Sequence, residues 1–152
     1  MKTVIVGGDT RFDWLARLLK QRGDAMGTIL REPVPGVPSL GVEALGTAEA
    51  VVVNCPLKTG GEALALGELL EELPENARVF ACGPKHPDFD ARVIDLWADE
   101  TLLVENAALT AEGAIAAAMS ASEMAISEMG CLVVGWGRIG RALAERLVAL
   151  GA

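Results

Sequence analysis

Short β-branched runs recur along this chain, and nearly every one is followed by a stretch with helical spacing. "TVIVGG" (3–8) reads as a buried strand ending in glycines. "RFDWLARLLKQRG" (11–23) sets Phe12, Leu15, Leu18 and Leu19 on one helix face, with Gly23 as its stop. "MGTIL" (26–30) reads as a second strand, and the Pro- and Gly-rich "REPVPGVPSLG" (31–41) as a loop. "AVVVNCP" (50–56) is a strand, "GEALALGELLEEL" (61–73) an amphipathic helix stopped by Pro74, and "ARVFACGP" (77–84) a strand again. The pattern then predicts a helix over 88–100, a fifth strand over "TLLVEN" (101–106), and a long helix from about Leu109 to Met129. The last stretch, "GCLVVGWGRIGRALAERLVALGA" (130–152), reads as strand, glycine turn and helix.

Strands alternating with helices at this spacing require right-handed crossovers and a parallel sheet. The fold class is α/β: a flavodoxin-like parallel sheet with helices on both faces, then a long connector helix, then the first β–α unit of a Rossmann domain. The expected division is 1–108, a substrate-side domain; 109–129, the connector helix; and 130–152, the start of a dinucleotide-binding domain. The connector is rich in alanine, which permits close backbone approach. It reads equally as a plain buried helix or as an interdomain or dimer interface, and a homo-oligomer is expected.

The 152 residues are 51% hydrophobic with a formal net charge of −8, too apolar for disorder. The acidic balance argues against nucleic acid or an anionic membrane as partner. No signal peptide is read at the amino terminus and no stretch reads as a bilayer span, so a cytoplasmic protein is expected. Cys55, Cys82 and Cys131 sit in apolar runs and read as buried free thiols. With a single histidine and no paired cysteine spacing, no metal site is expected.

Gly135, Gly137 and Gly140 form G-x-G-x-x-G, which alone is a weak signal. Here it follows "CLVV" and opens a helix, the context a dinucleotide turn needs. The glycines permit the tight turn, the approach of backbone to pyrophosphate and close helix packing. The helix amino terminus at Arg138 and Ile139 supplies N–H donors, and Arg138 and Arg141 add positive charge. The plain alternative is a glycine-rich turn with no nucleotide.

A second candidate site lies where the strands of the first sheet end, since open parallel sheets bind ligands beyond those carboxyl ends. Arg11 and Lys58 bring cations there, and Thr59, Gly60 and Gly61 offer backbone donors. Thr110 is read as a helix N-cap that leaves the N–H groups of 111–113 free. Together these suit a small dicarboxylate. A charge-assisted bond nets about 1.5–3 kcal/mol against about 0.3–1 kcal/mol for a helix terminus, so Arg11 is expected to dominate. Each has a plain reading: Asp9 and Arg11 cap the first helix and pair with each other, Lys58 is solvated, Thr110 only caps, Glu112 only answers the dipole. His86 reads as a general acid or, more plainly, as a loop histidine without a role. No base adjoins Cys55 or Cys82 in sequence, so neither is read as a nucleophile, and no catalytic residue is assigned.

"VGGDTR", "LTAEGAIAAAM" and "GWGRIGRALAERLVALGA", in that order and spacing, resemble the A-type subunit family of dipicolinate synthase. The resemblance is strongest at the first turn and from Leu109 onward. It implies that Gly8, Asp9 and Arg11 match the family's first-turn motif. Thr110, Glu112 and Gly113 match its connector-helix start, and Gly135, Gly137 and Gly140 its cofactor turn. It further implies NAD(P)-linked oxidation of a dihydrodipicolinate-type precursor during sporulation, in partnership with a second subunit of the synthase. The family chain continues for another domain, so residues 130–152 are expected to be a truncated start of it. Two other readings stay open: the substrate domain of another hydroxy- or amino-acid dehydrogenase, and a non-catalytic small-ligand or dimerisation module.

NAD or NADP is expected in a full-length protein and neither in this chain alone. The few backbone bonds of a turn, each net about 0.5–1.5 kcal/mol, do not offset an association cost of about 4–15 kcal/mol. Fluorescence titration of residues 1–152 with NADH and NADPH should show no binding; micromolar affinity would contradict this.

Overall fold

The computed structural model describes residues 1–54, 57, 65–83 and 87–152. It comprises two compact units, Met1–Ala98 and Asp99–Ala152. The first holds β1 (Thr3–Val6), α1 (Thr10–Gln21), β2 (Ala25–Ile29), β3 (Ala50–Asn54), α2 (Leu66–Glu71), β4 (Arg78–Cys82) and β5 (Val93–Asp95). The second holds α3 (Glu100–Ala121) and α4 (Arg138–Ala149), joined through a short 3-10 turn at Ile126–Glu128.

In the first unit the sheet runs β2-β1-β3-β4-β5, every pairing parallel. This is the flavodoxin order, with its switch point between β1 and β3. Every residue of β1 and β3 is buried, which is why both read as unbroken apolar runs rather than alternating ones. The register sets Val4 beside Val51 and Val6 beside Val53. These side chains, with Val79 and Ala81 of β4, join one core cluster with Leu66, Leu69 and Leu70 of α2. The alternate residues Ile5 and Val52, with Phe80 packed against them, join the other cluster, with Phe12 and Ala16 of α1 and with Val34 and Val37. Helices therefore cover both faces.

Three element assignments differ from the sequence reading. Residues 88–99 form no α-helix; they contain β5, whose Val93 pairs with Val79 of β4, and a 3-10 turn over Leu96–Ala98. "TLLVEN" is not a strand, because the long helix has already begun there. Asp99 is its N-cap, accepting from the backbone N–H of Thr101 at 2.9 Å and of Leu102 at 3.2 Å. The cap outweighs the β-branched look of the segment, and the helix spans Glu100–Ala121 rather than 109–129. The five-strand count survives because a strand does occur nearby, some eight residues earlier. Residues 131–134 form no strand: no described strand pairs with them, and Leu132 and Val134 are 89% and 91% exposed. A strand is defined by its partner, and periodicity cannot supply one.

In the second unit Ala107, Ala111 and Ile115 are buried at i, i+4 and i+8 of α3. Ile115, Ile126 and Leu147 form its small core, with Met129, Val133 and Leu143 around them. Two ion pairs join its helices: Arg138–Glu100 at 2.5 Å and Arg146–Glu112 at 3.3 Å. Contrary to the sequence reading, α3 is long and apolar enough to cross a membrane, by length and composition only. It reaches that hydropathy through its alanines.

Leu69 is fully buried beneath the sheet. Leu69→Ala should lower unfolding stability by about 2–5 kcal/mol, read as a shift in urea midpoint.

Candidate functional site

The turn after β1 carries the first cluster. Gly7 and Gly8 follow the strand with φ of 54° and 86°, the left-handed region that favours glycine. At Gly8 a side chain would also strike the Phe12 ring, with Cδ2 2.7 Å from an added Cβ, so the position is closed to anything larger. Asp9 then caps α1, accepting from the Arg11 N–H at 3.0 Å. The Arg11 guanidinium grips the same carboxylate in a two-point pair, Nε to Oδ1 at 2.9 Å and Nη2 to Oδ2 at 2.6 Å. That hydrogen bonding raises the Arg11 pKa further, and its side chain remains 71% exposed.

Sequence reasoning passed over Arg31, which stands two residues past β2. Its side chain is only 7% exposed. It pairs with the carboxylate of Asp13, donates to the Gly7 carbonyl at 2.7 Å, and reaches the Asp9 carbonyl more weakly at 3.4 Å. Burial lowers its pKa while the charge of Asp9 opposes the shift. The signal was available: a lone arginine directly behind the apolar run "MGTIL", at the carboxyl end of a strand. Leu30 before it adopts φ of 53°, an uncommon conformation for a branched residue. At the end of β4, burial pushes the Cys82 thiol pKa up and the nearby Arg11 charge partly offsets this. Cys82 is thus held in its unreactive form.

Lys58, Thr59, Gly60 and Gly61 lie outside the described residues, as do Cys55 and His86. Cys131 is exposed, against the expectation of a buried thiol. Thr110 is not an N-cap. It sits inside α3, its hydroxyl donating back to the Asn106 carbonyl at 2.7 Å, and the N–H groups of 111–113 are spent within the helix. Glu112 pairs with Arg146, and Gly113 faces open space.

The second cluster is the glycine turn before α4, where the three glycines do three different jobs. Gly135 has φ of 103°, which makes the tight turn. Gly137 is the N-cap at φ −82° with nothing within 4 Å of where a Cβ would stand, leaving its backbone approachable. Gly140 has no such room: an added Cβ would collide with the Gly135 carbonyl oxygen and stand 3.0 Å from its carbon. No side chain caps this helix, so the first-turn N–H groups of Arg138, Ile139 and Gly140 lack intrahelical acceptors. A pyrophosphate suits such a terminus. The Arg138 side chain is turned to Glu100. A groove of about 400 Å³ on this unit, lined by Ile115, Met119 and Leu150, lies toward the other end of α4 and not at the glycine turn. Among the described residues no cluster of His, Cys, Asp or Glu could hold a metal.

A five-stranded parallel sheet in flavodoxin order, with helices on both faces, defines an α/β protein of the flavodoxin- and Rossmann-like fold. Within that class the chain is similar to the A-type subunit of dipicolinate synthase from Bacillus halodurans, at a TM-score of 0.75 and 23% identity. The match covers 99% of this chain and 60% of that one, so the chain spans about three fifths of its structural relative. No protein-family model and no curated protein matches the sequence.

The two crowding patterns make a contrast. Gly140→Ala should destabilise the second unit by about 1–3 kcal/mol despite alanine's better helix propensity, because the obstacle is backbone and cannot move aside. Gly137→Ala, with open space and an ordinary φ, should change stability far less. Circular-dichroism melts of both variants decide it.

Proposed function

We propose that this chain is the substrate-binding part of a two-domain NAD(P)-dependent oxidoreductase of the dipicolinate synthase type. The observation that carries the reading is the division of labour among Gly135, Gly137 and Gly140, which is what a dinucleotide turn requires. The similarity to the Bacillus halodurans chain over 99% of this sequence supports it. The backbone N–H groups of Arg138, Ile139 and Gly140 would hold the cofactor's pyrophosphate. A bound nicotinamide would supply the hydride acceptor for oxidising a dihydrodipicolinate-type precursor. A cytoplasmic setting in a sporulating cell, self-association and a partner subunit of the synthase belong to the same proposal. The exposed Trp136, Val134 and Leu132 favour self-association.

On the substrate side the proposed ligand is a small planar dicarboxylate at the first turn, with Gly8, Asp9 and Arg11 as its frame. Lys58, Thr59, Gly60 and Gly61 belong to the same proposed set. Thr110, Glu112 and Gly113 enter the proposed set through resemblance alone, and the N–H groups of 111–113 are spent within α3. Arg11 is already paired, but an exposed ion pair is worth only about 0–1 kcal/mol. Releasing Asp9 therefore costs little, and a charge-assisted bond to a ligand carboxylate nets about 1.5–3 kcal/mol before the cost of association.

Calorimetry with pyridine-2,6-dicarboxylate tests this. Arg11→Ala should weaken binding by up to about 1.5–3 kcal/mol. Equal affinity in variant and parent would remove Arg11 from the site, and no binding by the parent would remove the dicarboxylate reading.

A further inference from the structure

The geometry points to Arg31 as the positioning residue of the first-turn site: its buried guanidinium holds the Gly7 carbonyl inward and so turns the Gly8 N–H outward to a ligand anion, beside the Thr10 N–H that opens α1. This rests on the reading of the first turn as an anion site, and it names the group that shapes that site.

In a trans peptide the carbonyl and the following N–H point in opposite directions. Arg31 Nη1 fixes the Gly7 carbonyl at 2.7 Å, so the Gly8 N–H faces away from the guanidinium. The Asp9 carbonyl is held by the Phe12 N–H at 2.9 Å, with Arg31 a weaker contact at 3.4 Å, so the helix itself directs the Thr10 N–H and Arg31 directs that of Gly8. Thr10 opens α1, so its N–H has no intrahelical acceptor. Three features hold the clamp in place. The Arg31 side chain is 93% out of solvent, and a buried guanidinium without its acceptors would be costly, so the Gly7 carbonyl is held firmly. Asp13, one turn into α1, neutralises it and ties it to the same helix. Leu30 takes a left-handed φ of 53° immediately before it, a strain that persists only where the surroundings over-determine it. Arg31 thus serves from behind the turn, while Arg11 stands in front of it on Asp9. A lysine could not replace Arg31, because a single ammonium lacks the planar fork that spans two carbonyls and a carboxylate.

The test is an amide NMR titration of the full chain with inorganic sulfate, comparing the parent with Arg31→Lys and Arg31→Gln. Arg92→Gln, a loss of equal charge near β5, is the control. The parent's Gly8 and Thr10 amides should shift with sulfate. Both Arg31 variants should weaken that response at least about tenfold while the β3 and β4 amides keep their positions. Arg31→Lys keeps the charge opposite Asp13 and serves if Arg31→Gln fails to fold. Silent Gly8 and Thr10 amides in the parent, Arg31 variants that titrate like the parent, or an equal loss in Arg92→Gln would each overturn the assignment. A parallel titration with pyridine-2,6-dicarboxylate separates the two readings. Sulfate binding that depends on Arg31 without any dicarboxylate binding would sink the proposed substrate and leave Arg31's role standing.

Discussion

The parallel pairing of β1 with both β2 and β3 is the constraint on which the rest of the first unit depends. Parallel neighbours cannot be joined by a hairpin, so the chain must cross a face of the sheet between them, and α1 and α2 each cover one face. The strands between those layers are dry on both sides. The same rule sends every strand out of the sheet at one edge. The first turn and the end of β4 therefore meet there, close enough for the charge of Arg11 to act on the Cys82 thiol.

Two arginine–aspartate pairs at that edge have opposite characters, and burial is the difference. Arg11–Asp9 is exposed and worth little by itself, which leaves it free to change partners. Arg31–Asp13 is largely withdrawn from water, and there a missing partner would leave an uncompensated charge. On the proposed reading the exposed pair is the one that meets the ligand, while the buried pair keeps the turn in shape.

The second unit works by closeness instead of charge. Its core is three buried side chains with a few apolar neighbours, and two ion pairs join α3 to α4. Its most demanding contact is between Gly140 and the Gly135 carbonyl, where one methyl group would not fit. That contact lets α4 begin directly against the turn, with its first N–H groups uncapped.

Periodicity and glycine placement are local properties, and they carried far in this chain. The buried runs of β1 and β3, the amphipathic α1, the parallel α/β class and the spacing of Gly135, Gly137 and Gly140 were all legible in the residues. So was the Asp9–Arg11 pairing, as one of two readings, because those residues lie two apart at a helix start. What went astray lay between residues 88 and 134. There "TLLVEN" suits a strand as well as a helix, and the decision fell to the Asp99 cap and to the pairing of Val93 with Val79 across the sheet. Moving that boundary placed Thr110 inside a helix and removed its free donors. Residues 131–134 have the composition of a strand and, among the described residues, none of its hydrogen-bonded neighbours. Arg31 was invisible for a related reason: its partners Gly7, Asp9 and Asp13 stand about twenty residues away in sequence. The sequence by itself determined which segments can be helix or strand and which turns need glycine, since steric limits and side-chain spacing act over a few residues. Only the tertiary structure decided which strand has a partner and which charge is buried, because both depend on residues brought together from distant parts of the chain.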